Sequence, residues 1–203
     1  MDNTRTPVLY IVGNYNIDLV MGTLTHWPAQ GTEMMLEHSA LRPGGSAGNC
    51  ALAAAAMQLP HCTVGCQGDD AFTPWLAAQF PGGSARWPQY PCETSLTVAI
   101  THPNKERSFL SNHGHITRLT AGDVLSQLPA AAGEGDIVLL CGTFLCTGLL
   151  SDYPQLLATL RQRGFTLAVD TGWPPQGWSD PLRHEVDRWL GDCDWLLLND
   201  VET

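Results

Sequence analysis

Apolar residues recur along the chain in short unbroken runs. Val8 to Val12 leads into Gly13, Ile137 to Cys141 into Gly142, and Thr166 to Val169 into Asp170, while Trp195 to Leu198 stands near the C-terminus. Runs of this length without polar alternation predict strands covered on both faces, as in a parallel sheet. Thr63 to Gly68 reads as a further strand. Between these runs lie helical patterns. Cys50 to Met57 is almost entirely small and apolar and stops before Pro60, which predicts a helix buried all round. Further helices are expected at Thr73 to Gln79, at Thr120 to Leu128 with Asp123 early in it, and at Pro181 to Leu190. Tyr153 to Arg163 is amphipathic and is closed by Gly164 at the usual C-terminal position. Strand and helix alternating with short links predict an α/β fold with a mostly parallel central sheet flanked by helices.

Two stretches break this rhythm. Residues 19–41 mix apolar and polar positions, with turn signals at Pro28 and Gly31. Residues 93–111 alternate in part around a turn at Pro103-Asn104-Lys105-Glu106, a hairpin signal. Together they predict a small separate β-sheet. Phe80 to Cys92, rich in Pro, Gly and Trp, reads as a loop.

Composition narrows the class. The chain has 203 residues, 44% hydrophobic and 15% charged, which suits one globular domain and excludes a disordered chain. Asp and Glu number 20 against 10 Lys and Arg, for a formal charge of -10. A protein that neutralises nucleic-acid phosphates carries the opposite balance, so that partner is not expected. The N-terminal segment lacks the basic start and long apolar core of a signal peptide. The apolar runs fall far short of the ~20 residues of a membrane span. The expectation is a soluble, cytoplasmic protein. Seven cysteines are present without a Cys-x-x-Cys. Cys62 and Cys66 with His113 and His115 do not match a usual zinc spacing, and no metal site is assigned. Cys50, Cys141 and Cys146 read as small core residues.

Three segments carry candidate chemistry. Gly13-Asn14-Tyr15-Asn16-Ile17-Asp18 lies just past the first strand, at the carboxyl edge where open α/β sheets bind ligands. Asn and Asp there suit hydroxyl groups, though an Asx-rich turn accounts for them as well. Gly44-Gly45-Ser46-Ala47-Gly48-Asn49 opens the Ala-rich helix, where glycine lets a ligand approach the backbone. It is neither a phosphate-binding loop ending in Gly-Lys-Ser/Thr nor a dinucleotide fingerprint. A nicotinamide-dependent dehydrogenase would need Gly-x-Gly-x-x-Gly directly after Val12. Asn199-Asp200-Val201-Glu202 follows the last strand, and Asn with Glu three positions on is also a capping box.

In order and spacing these segments, with Gly65-x-x-Gly68-Asp69-Asp70 between them, resemble the ribokinase-like, or PfkB, family of carbohydrate kinases across the whole chain. The resemblance implies a small β-sheet lid, matching residues 19–41 and 93–111, over a sugar or nucleoside. That lid is also a surface through which two copies could form a homodimer. It implies that Asn16 and Asp18 hold sugar hydroxyls, that Gly44, Gly45 and Asn49 close on the same sugar, and that Asn199 and Glu202 lie near the phosphates and influence magnesium. ATP and Mg2+ are the implied cofactors. Arg107 reads as a solvated lid arginine, with contact to an anionic substrate as the other reading, and Asp170 ends a strand at the ligand edge.

The family's Gly-Ala-Gly-Asp, whose Asp is the general base of phosphoryl transfer, does not follow residue 199. Gly133-Glu134-Gly135-Asp136 precedes a strand and reads as a loop. No catalytic residue is therefore assigned, and the base is expected beyond Thr203, in a segment this chain lacks. Residues 1–203 are thus expected to form an incomplete ribokinase-like domain, inactive as it stands. The alternative is a non-catalytic sugar-binding remnant or a non-functional fragment.

Overall fold

The computed structural model describes residues 5–198. β1 (Leu9–Gly13) is followed after two residues by β2 (Asn16–Gly22), then β3 (His38–Gly44), α1 (Ser46–Ala56), β4 (His61–Val64) and α2 (Thr73–Ala78). Next come β5 (Leu96–Thr101), β6 (Arg107–Ser111), α3 (Ala121–Gln127), β7 (Ile137–Cys141) and α4 (Thr147–Leu150). α5 (Tyr153–Gln162), β8 (Thr166–Asp170), α6 (Asp180–Leu190) and β9 (Trp195–Leu197) complete the order.

Five strands form a wholly parallel sheet in the order β4-β1-β7-β8-β9. Alternate strand residues point to opposite faces, and here each face has its own core. Tyr10, Val12, Val138, Leu140, Leu167 and Val169 pack with Leu156, Leu157 and Leu160 of α5 and Trp189 of α6. Ile11, Leu139, Cys141 and Ala168 pack on the other side with Ala47, Ala51 and Ala54 of α1. This is the α/β architecture that the unbroken apolar runs imply.

The other four strands form a mixed sheet in the order β3-β2-β5-β6, in which β2 runs antiparallel to β3 and parallel to β5. It is the small second sheet expected from the two irregular stretches. Its strands start earlier than residue 19 and end later than residue 41, because β2 and β3 pair from Asn16↔Gly44 to Gly22↔His38.

Three expectations change. The Ala-rich helix begins at Ser46, and only Ala47, Gly48, Ala51 and Ala54 are buried in it; Leu52 and the adjoining Met57 face outward. One side packs on the sheet, and alanine's small volume satisfies both sides without declaring which is which. The strand expected to reach Gly68 ends at Val64. Beyond it the chain turns away, Gln67 bridging to Gln89. Cys50 is half-buried rather than a core residue, whereas Cys141 and Cys146 are buried.

Candidate substrate site at the junction of the two sheets

The site grows from the two-residue step between β1 and β2. β1 ends at Gly13 at the carboxyl edge of the parallel sheet, and Asn16 already belongs to β2. Asn16 and Asp18 are therefore strand neighbours two apart, which places them on one face; the Asx-turn reading of the segment does not hold. Asn16 Nδ2 donates to Asp18 Oδ1 at 2.8 Å, and Asn14 Nδ2 donates to Asn16 Oδ1 at 3.4 Å. The three side chains form a polar ladder running out of the parallel sheet into the small one. Asn14 is buried and its Oδ1 has no hydrogen-bond partner among the described residues.

The glycine pair is built around this ladder. β3 pairs with β2 so that Gly44 stands opposite Asn16. A Cβ on Gly44 would lie 2.2 Å from Asp18 Oδ2, and one on Gly45 would lie 2.3 Å from the Asn14 carbonyl oxygen and 2.5 Å from Asn16 Oδ1. Gly45 also has φ +87° and ψ 154°, a conformation open almost only to glycine. Gly45 is thus required by its conformation and by the Asn14 backbone, and Gly44 leaves the room that the Asp18 carboxylate occupies. Asn49 lies on the first turn of α1, where its backbone N–H donates to the Gly45 carbonyl at 2.8 Å; its residue is exposed. Asn16, Asp18, Gly44 and Gly45 come together, with Asn49 one turn away. Asn199 and Glu202 lie outside the described residues.

Burial raises the pKa of Asp18, while the amide of Asn16 and the positive charge of Arg107 act in the opposite direction. Arg107 itself is exposed, its guanidinium 5.6 Å from the centroid of the Phe109 ring. Asp170 Oδ1 accepts the Gly172 N–H at 3.0 Å at the end of β8. Arg5 pairs with Asp136 at 2.9 Å, so the Gly133–Asp136 loop anchors the N-terminal segment.

Beside the ladder is a cavity of ≈ 240 Å³ reached by Asn16, Ser95, Thr97, Ser111, Asn112 and His113, with Ile116, Phe144 and Leu145 as apolar walls. Across β5 and β6, Thr97 and Ser111 stand opposite each other, with their hydroxyls 2.8 Å apart. Hydroxyl and amide groups on one side facing apolar walls on the other suit a small ligand that combines hydroxyls with an apolar face. Of these residues the sequence marks only Asn16 as a candidate for ligand contact, and His113 only in the rejected zinc spacing. Ser95 and Thr97 at two-residue spacing were the available signal.

His115 locks the junction. It is fully buried, its Nδ1 accepts the Ser95 N–H at 3.0 Å, and its Nε2–H donates to the Tyr15 carbonyl at 3.0 Å. Burial lowers its pKa to about 4. Asp70 anchors the same region by accepting from Thr94 N at 2.8 Å, Thr94 Oγ1 at 2.6 Å and Phe72 N at 3.0 Å. Burial works to raise its pKa, yet these bonds hold it below the ordinary carboxylate value.

The model of the pfkB family of carbohydrate kinases matches residues 8–203. The chain belongs to this family. Among solved structures, Arabidopsis thaliana ribokinase complexed with ribose and ATP is similar with a TM-score of 0.68 at 18% identity, over 98% of this chain and 62% of the plant enzyme. Xylella fastidiosa fructokinase with bound ATP gives 0.69 at 16% identity, over 95% of this chain and 61% of that one. The nucleoside kinase of Methanocaldococcus jannaschii gives 0.66 at 14% identity, over 98% and 63%. The chain therefore spans about three-fifths of the length of these solved structures, and at these identities the likeness is one of fold. No curated protein matches the chain in sequence. Among the described residues, no helix is long and apolar enough to cross a membrane.

Proposed function

We propose that the described residues form the substrate-holding part of a carbohydrate kinase. In this reading a protein that also carries the family's Gly-Ala-Gly-Asp segment transfers the γ-phosphoryl group of ATP to a hydroxymethyl group of a sugar or nucleoside. The observation that carries the reading is the Asn14–Asn16–Asp18 ladder pressed against Gly44 and Gly45 beside a cavity with hydroxyl and amide groups on one side and apolar walls on the other. Asp18 has one carboxylate oxygen committed to Asn16, which leaves the other to accept a sugar hydroxyl. Asn16 shares the cavity, and the backbone at Gly44 and Gly45 allows the ring to approach closely. Fixing the sugar in this way orients its hydroxymethyl group and lowers the entropic part of the barrier.

The nucleotide would bring the phosphoryl group and Mg2+ the charge neutralisation that its transfer requires. A second cavity of ≈ 610 Å³ at the carboxyl edge, lined by Ser46, Asp170 and Gly172 and walled by Trp173 and Leu196 to Leu198, supports that placement. Its Ser46 hydroxyl and Asp170 carboxylate are oxygen ligands of the kind magnesium takes. The proposed roles of Asn199 and Glu202 in phosphate and magnesium binding rest on the resemblance alone.

Titration calorimetry of the 203-residue chain against a panel of pentoses, hexoses and nucleosides tests the holding role. Binding by at least one is expected, and Asp18→Asn should weaken it tenfold or more. The sign of the Asp18 shift adds a second readout. A raised pKa means the carboxylate is neutralised sooner on acidification, so affinity should fall at a higher pH than for an ordinary aspartate. No heat with any ligand at millimolar concentration overturns the reading. The 203-residue chain alone should show no ATP-dependent phosphorylation, whereas a chain extended by the Gly-Ala-Gly-Asp segment should phosphorylate a ligand that bound.

A further inference from the structure

Two thiols that the substrate-holding role does not use meet behind the site. Cys50 lies on α1, one turn beyond Ser46, and Cys141 closes β7 immediately before Gly142. Cys141 Sγ donates to Cys50 Sγ at 3.9 Å, a contact that joins positions 91 residues apart. It is the one thiol–thiol hydrogen bond among the described residues. The two partners differ in access, since Cys141 is buried and Cys50 is half-buried with part of its surface open. Each could have packed as an isolated small hydrophobe. Instead the fold brings an accessible sulfur against a buried one.

We propose that Cys50 and Cys141 form a reversible dithiol–disulfide site, with Cys50 as the attacking sulfur and Cys141 as the resolving one, and with a small-molecule disulfide as oxidant. In the first step the Cys50 thiolate attacks one sulfur of the oxidant, and the oxidant's S–S bond breaks to release one thiolate. In the second step Cys141 loses its proton and attacks the Cys50 sulfur of the mixed disulfide, releasing the second thiolate. Two protein thiols become one disulfide, and the two protons end on the two reduced oxidant molecules.

The hydrogen bond from Cys141 favours this division of labour. It lowers the pKa of Cys50 to about 7, against burial and the negative charge of Asp170, so Cys50 supplies thiolate near neutral pH. The same bond and burial raise the pKa of Cys141, which keeps its proton until the second step. Burial pushes the Cys66 thiol well up, and raises Cys146 to about 12 and Cys193 to about 11, so all three stay protonated. The disulfide would tie the start of α1 to the end of β7. Gly142, the residue after Cys141, lies close to both Asn14 and Ser46: a Cβ on it would stand 2.3 Å from Asn14 Oδ1 and 3.4 Å from Ser46 Oγ.

The test treats the reduced 203-residue chain with oxidised glutathione under native conditions at pH 7.5. Remaining thiols are then alkylated, and the digest is mapped by mass spectrometry. The expected product lacks two alkylatable thiols, contains a Cys50–Cys141 linked peptide, and returns to the starting state with dithiothreitol. The Cys141→Ser variant should stop at a glutathione adduct on Cys50. The wild-type map decides without the variant, should the substitution disturb folding. A stable adduct on Cys50 with Cys141 still alkylatable in the wild type, or oxidation at other cysteines while this pair stays free, overturns the proposal.

Discussion

In the parallel sheet, β7 and β8 bury Val138, Leu140, Leu167 and Val169 against helices. In the small sheet, β6 leaves Phe109 and Leu110 at 57% and 55% exposed. Both sheets are built from apolar and β-branched residues, so strand chemistry alone does not separate them. What separates them is cover: the parallel sheet has a helical layer on each face, whereas the small sheet turns a hydroxyl-bearing edge toward the cavity and its outer positions toward solvent. β9 marks the limit of this contrast, since Trp195 is 54% exposed within the parallel sheet. The contrast assigns stability to one sheet and the proposed ligand contact to the other, and their joint lies where Asn14, Asn16, Asp18, Gly44 and Gly45 meet.

The strongest challenge to that assignment is a cavity in the covered sheet. Leu167→Ala, at a position with 0% exposure, should lower the unfolding free energy by about 3–4 kcal/mol. Chemical denaturation measures it, and a loss under 1 kcal/mol would mean that this core does not carry the fold. Next come the two glycines at the joint. Gly45→Ala meets both a forbidden φ and the Asn14 backbone, and should cost about 3 kcal/mol. Gly44→Ala meets only the end of the Asp18 side chain, which can swing aside. It should therefore cost distinctly less stability while weakening any sugar binding tenfold or more. Equal stability losses for the two would erase the distinction.

A smaller and pH-dependent effect should come from His115, which couples Tyr15 at the first sheet to Ser95 at the second. Its folded pKa, about 4, lies below the unfolded value near 6.5, so the unfolded chain binds more protons between those limits. Its contribution to stability is complete above pH 6.5 and falls as the pH drops toward 4. Denaturation at pH 7 and pH 5 should show that loss, reduced in His115→Gln. The smallest effect is expected at the open sheet, where Leu110→Ala should change stability by about 0.5 kcal/mol or less. A loss near that of Leu167→Ala would show that the outer face of β6 is covered in solution.

The covered sheet was the more legible of the two in sequence. Apolar runs such as Ile137 to Cys141 have no polar position to spare, so a parallel strand between helices is the arrangement that satisfies them, and β7 and β8 lie where the runs do. The edges of β2 and β3 were less legible because Asn16, Asp18 and Gly44 are polar or small, and their pairing compensates for low strand propensity. The candidate site was half legible. Asn16, Asp18, Gly44 and Gly45 stand out by residue type and order. Thr97, Ser111 and Asn112 look like ordinary polar positions of a small sheet, and His115 looks like one histidine among several.

The sequence by itself determined the alternation of strand and helix, the presence of a second sheet and the Asn, Asp and Gly segments of the candidate site, since periodicity and residue type act locally. Only the tertiary structure decided which face of the Ala-rich helix is buried, that Asn16 and Asp18 are strand neighbours rather than turn residues, and that Cys50 reaches Cys141 across 91 positions. Those outcomes depend on distances between segments remote in the chain. Packing of the two sheets sets these distances, and no local pattern of residues encodes them.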